Sequence, residues 1–75
     1  MDLAELEQAL LLAHQNRDQE ALVMLYQNGG QTFLRQGNID AGCFYLTHAY
    51  IYALEAGHAA AAELRDILVS YGREE

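Results

Sequence analysis

The chain has 75 residues, 52% of them apolar, and a net charge of −7 at neutral pH. Its only cations are Arg17, Arg35, Arg65 and Arg73, so it lacks the basic stripe that neutralises phosphates in a nucleic-acid binder and the lysine that Schiff-base chemistry requires. A single cysteine, Cys43, excludes an internal disulfide; no apolar run approaches the ~18 residues that span a bilayer, and the acidic start Met1-Asp2-Leu3-Ala4-Glu5 is unlike a secretory signal, so the cytoplasm is the expected compartment.

Proline is absent, and alanine, leucine, glutamate and glutamine favour helix along the whole chain. Three breaks divide it into four predicted helices. The first covers 3–15, started by Asp2 with Glu5 three residues on, and carries Leu3, Leu6, Leu10 and Ala13 on one face. The polar stretch from His14 to Asp18 ends it, and Asn16 or Asp18 is placed to cap the next helix. That second helix covers 17–35, with Leu22, Leu25, Tyr26, Gly29 and Phe33 on a shared face. Gly29 and Gly30 fall in its middle, where each costs about 1 kcal/mol against alanine. They either break the helix or let a neighbour approach closely. Gln36-Gly37-Asn38 is a stop followed by a capping asparagine.

The third helix covers 39–56. Its polar residues Asp40, Thr47, His48 and Glu55 fall on one stripe. Phe44, Tyr45, Leu46, Ala49, Tyr50, Ile51, Tyr52, Ala53 and Leu54 make most of the rest apolar, which is the pattern of a helix buried on most sides. It is therefore expected at the centre, between helices two and four. Gly57 ends it, and the fourth helix covers 58–71, with Leu64, Ile67, Leu68 and Tyr71 expected inward and Gly72 as its stop.

Helices two and three resemble a tetratricopeptide repeat, the 34-residue helix–turn–helix unit marked by Trp, Leu-Gly, Tyr, a small Ala, Phe and a late Pro. Tyr26 stands at the Trp place, Gly29-Gly30 at Leu-Gly and Phe33 at the Tyr. Gly42 stands at the small residue, Leu46 at the Phe and Ala49 at a further small place. Gly29 replaces a leucine, Gly42 an alanine, and Leu54 stands where the proline would end the unit. The match covers residues 23–56, with no second copy. It gives the glycines a role: Gly30, Gly42, Ala49 and Ala53 would line a small-residue seam with Tyr26, Phe33 and Tyr45 beside it, and helix two would run on unbroken.

The resemblance implies an all-α, repeat-like array of four antiparallel helices around a central hairpin, and a protein or peptide as partner. The surface such a unit presents corresponds here to Met24, Gln27, Gln31, Leu34 and Arg35. Tyr50, Ile51 and Leu54 are candidates for contact with a second copy, because four short helices cannot easily hide the third. A chain this small buries only about 60% of its unfolded surface, so a high apolar content points the same way.

A small metal-binding or enzymatic protein is the other reading. It would draw on His14, His48 and His58 with Glu55 or Glu63. No histidine pair has the spacing of a shared helical face, and Cys43 and His48 diverge by about 140° around helix three. No metal, cofactor or catalytic residue is therefore assigned. His48 remains a candidate pH sensor at an interface. A DNA-reading helix–turn–helix around Gln36-Gly37-Asn38 would need bases read by a helix that carries no Arg or Lys.

Overall fold

The computed structural model describes residues 2–73. Its four helices are α1 (Leu3–Asn16), α2 (Gln19–Arg35), α3 (Ile39–Ala56) and α4 (Ala60–Ser70), and no strand occurs among the described residues. Among the described residues, no helix is long and apolar enough to cross a membrane.

The first three helices start with the same chemistry. Asp2 Oδ1 accepts from the Glu5 amide at 2.8 Å, Asp18 Oδ1 from Ala21 at 3.1 Å, and Asn38 Oδ1 from Ala41 at 3.2 Å. Each satisfies an amide that has no partner inside its own helix. The second helix begins at Gln19, two residues later than its periodicity predicts. Arg17 adopts a left-handed backbone (φ 53°) that closes α1, so Asp18 is left as the cap. The fourth begins at Ala60 instead of residue 58. His58 stays outside the helix and its Nδ1 accepts from the Ala60 amide at 3.0 Å. It ends at Ser70, so Tyr71 falls in the closing turn and is exposed, contrary to its predicted inward position.

Each helix packs its backbone against its neighbours in sequence: α1 on α2, α2 on α3, α3 on α4. The result is a slab of 32 × 28 × 13 Å. The contact between α2 and α3 is the most extensive, and glycine makes it close. Gly30 and Gly42 face each other so tightly that a Cβ on either would lie 3.0 Å from the carbonyl oxygen of the other. Ala49 and Ala53 continue the seam fully buried, and α2 runs unbroken through both of its glycines.

Two apolar clusters flank this seam. One joins Val23 of α2 and Cys43, Leu46, Ala49 and Ala53 of α3 to Leu64 and Leu68 of α4. The other joins Leu6, Leu10 and Ala13 of α1 to Leu22 of α2. Tyr26 and Tyr52 pack against both. Leu3, predicted on the inner face of the first helix, lies exposed at its first turn, beyond the reach of this second cluster.

Candidate partner-binding surfaces

The slab leaves three places where side chains of more than one element meet solvent together. The first is a groove of about 680 Å³ between the start of α1 and the second half of α2. Leu3, Leu6 and Phe33 supply apolar walls, and Asn28, Gln31, Thr32, Arg35 and Gln36 supply the polar ones. Within it the Thr32 hydroxyl donates to the Asn28 carbonyl at 2.9 Å, and Arg35 Nη2 donates to Thr32 Oγ1 at 3.2 Å. The Arg35 guanidinium is thereby aimed along the helix, with donors still free to meet a ligand.

Of the five α2 residues singled out by the repeat resemblance, Gln31 and Arg35 line this groove. Met24 is exposed and Gln27 half-buried, and neither lines it. Leu34 turns the other way. It is half-buried, and its Cδ2 occupies the space a Gly42 side chain would take, 2.6 Å from where that Cβ would sit. The missing side chain on α3 draws Leu34 into the seam. The five residues therefore do not form one open strip.

The second place is an aromatic cluster that sequence reasoning saw only in part. His14 Nε2 and the Tyr26 hydroxyl are hydrogen-bonded at 3.0 Å. The Tyr26 ring stacks on Tyr52 and on His48, with centroids 5.8 and 5.0 Å away, and meets the edge of Tyr45 at 5.6 Å. Tyr45 in turn meets Phe33 edge-on at 5.2 Å. Residues 45, 48 and 52 lie one helical turn apart on α3, so the cluster follows from their spacing once α2 supplies Tyr26. Burial pushes the Tyr26 hydroxyl above the ordinary tyrosine range, and the neighbouring Tyr52 and Tyr45 hydroxyls push it the same way. A raised pKa in the folded state means stability that is complete below the unfolded value and lost as pH rises through the folded one. Between about pH 8 and pH 11, the melting temperature of the protein should fall more steeply than that of Tyr26→Phe. Parallel curves would show that this hydroxyl ionises equally in both states.

The histidines considered as metal ligands have other roles. His14 serves Tyr26, His58 serves the start of α4, and His48 Nδ1 donates to the Phe44 carbonyl at 2.9 Å. Glu55 accepts from Gln19 Nε2 at 3.5 Å. Among the described residues, no three His, Cys, Asp or Glu side chains gather as a metal ion would need.

The third place is the outer face of α3. Its polar stripe is present, with Asp40 and Glu55 exposed and Thr47 and His48 half-buried. Three large apolar residues share it: Phe44, Ile51 and Leu54 are 60%, 47% and 55% exposed. Of the residues proposed for contact with a second copy, Ile51 and Leu54 stand in this row. Tyr50 instead packs half-buried against the cluster that joins α3 to α4. Phe44, which the sequence counted among the apolar residues of α3 without singling it out for a contact, takes its position in the row. Beside it lies a shallow depression lined by Asp40, Cys43, Phe44, Thr47, His48 and Arg73. Gly72, with φ 72°, turns the chain back after α4, and Arg73 Nη2 reaches Asp40 Oδ1 at 2.6 Å. No protein-family model, no curated protein and no solved structure matches the chain.

Proposed function

We propose that this chain is a protein-interaction module, an adaptor or regulatory unit that takes a peptide or helix of another protein along α2. The observation that carries the reading is the groove between α1 and α2. Its apolar walls at Leu3, Leu6 and Phe33 can seat one or two anchor side chains. The amides of Asn28, Gln31 and Gln36 and the Arg35 guanidinium can meet backbone carbonyls or a carboxylate beside them. The likeness of residues 23–56 to a tetratricopeptide hairpin supports the same assignment, since it too selects Gln31 and Arg35.

The test is affinity purification from the native cell with three baits: the intact protein, Arg35→Glu and Gln31→Ala. The intact protein should retain a partner that Arg35→Glu loses at least tenfold and Gln31→Ala retains at a reduced level. An identical set of captured proteins for all three baits would remove the groove from the reading.

A further inference from the structure

The outer face of α3 has an internal symmetry that the groove lacks. Along its midline from Asp40 to Glu55, with Leu54 standing to one side, the residues are an acid, an apolar side chain at 44, the polar pair 47 and 48, an apolar side chain at 51, and an acid. Read backwards, the order and the spacings are the same. A helix face with this property complements itself when turned end for end, which is the requirement of an isologous two-fold contact. We propose that this face is where two copies of the chain meet. They pack antiparallel about an axis between Thr47 and His48, with Ile51 of each copy seated in the depression beside Phe44 of the other. The proposal rests on the interaction reading and deepens it by naming the partner for one surface.

Three observations fit this register. The first is shape: Asp40, Cys43, Phe44 and Thr47, which line the depression, are spaced i, i+3, i+4 and i+7, the frame of a hole that receives one knob from a facing helix. Antiparallel pairing about 47 and 48 brings Ile51 of the other copy over that frame, and Ile51 stands 47% exposed with no neighbour in its own chain to cover it fully. The second is charge. The same register sets Asp40 opposite Glu55 of the other copy, a like pair that would oppose contact. Arg73 already lies on Asp40 at 2.6 Å, so each end of the contact holds two carboxylates and one guanidinium. Arg73 has donors in excess of that bond, and Glu55 has acceptor capacity beyond its bond to Gln19. In the single chain the Arg73–Asp40 pair is exposed and contributes little to stability; between copies it bridges two acids.

The third is size. One helix face plus the Arg73 turn buries, from both copies together, less than about 1,200 Å², the low end of specific contacts. The dimer should therefore be reversible, with a dissociation constant on the order of 10 µM.

Sedimentation equilibrium between about 1 and 200 µM tests this. The 8.4 kDa chain should approach twice its mass at the upper end. Ile51→Asp should stay monomeric across the range, with unchanged helix content by circular dichroism. Arg73→Glu should weaken the dimer at least tenfold, and Arg73→Glu with Glu55→Arg should restore it, because the exchange rebuilds the bridge only in the antiparallel register. A monomer at 200 µM would overturn the proposal. So would a dimer indifferent to Ile51→Asp, or an Arg73→Glu defect that Glu55→Arg does not repair. The two readings fail separately. A monomer that still loses its partner on Arg35→Glu leaves the groove intact, and a dimer whose captured proteins ignore Arg35 leaves the pairing intact.

Discussion

Leu46→Ala should lower the unfolding free energy by about 3–4 kcal/mol. Leu46 is among the largest side chains with no solvent contact, and it stands where α3 meets α2. Along the α2–α3 seam its neighbours have little to put into the space it leaves. Gly30 has no side chain to extend, and Ala49 and Ala53 beside it are held by the backbone of a continuous helix. The cost is then the lost transfer of the removed atoms plus a cavity that stays open. A domain of this length has a total stability of about 4–11 kcal/mol, so the variant loses a large share of it. Urea unfolding followed by circular dichroism should show a lower midpoint with an unchanged slope. A loss below about 1 kcal/mol would mean that the seam relaxes around the gap and is not close-packed.

Gly30→Ala should also destabilise, against the general rule for helices. At an open helical position this change is worth about 1 kcal/mol in favour of alanine. Here the new Cβ would lie 2.7 Å from Leu46 Cγ and 3.0 Å from the Gly42 carbonyl oxygen. The first atom is the branch point of a buried side chain and the second is backbone, so neither yields without moving α3. We expect a net loss of about 1–3 kcal/mol. The two substitutions are coupled, because Leu46→Ala vacates the space that Gly30→Ala needs. The double variant should be more stable than the sum of the single losses predicts by about 1 kcal/mol or more. Strict additivity would show that Leu46 is not what excludes a side chain at residue 30, and a stabilising Gly30→Ala would overturn the close approach itself.

Much of this architecture is legible in the sequence, and the reasons are local. Asp2, Asp18 and Asn38 mark three helix starts because a short polar side chain before an apolar period has one evident use. Gly29 and Gly30 could be read as part of a continuous helix because Gly42 and two alanines stood at matching places on the next one. The features that stayed hidden depend on which helix lies beside which. α3 is apolar nearly all round, so beyond the stripe of Asp40, Thr47, His48 and Glu55 its pattern carries little phase. It says that the helix is surrounded and does not say where the surrounding stops. Phe44 therefore stands exposed, while Tyr50, expected at a contact with a second copy, packs toward α4. Leu34 shows the same limit on α2, since only the empty space above Gly42 decides that it turns inward. The groove was half visible, through Gln31 and Arg35. Its other wall comes from Leu3 and Leu6, which no periodicity within α2 can announce.

The order of packing, each helix on the next in sequence, also has a kinetic meaning. Backbone packing joins only sequence neighbours, with a few long-range side-chain contacts such as His14–Tyr52 added across them, so the loop entropy spent before each helix pair forms is small and folding is expected to be fast. The α2–α3 hairpin, with the largest interface, is the natural place for it to begin. α1 and α4 then add from opposite ends, each with its backbone packed on a single neighbour, and either can detach and return while the other stays in place. A module built this way can loosen one edge to admit a ligand at no cost to the hairpin that holds its centre.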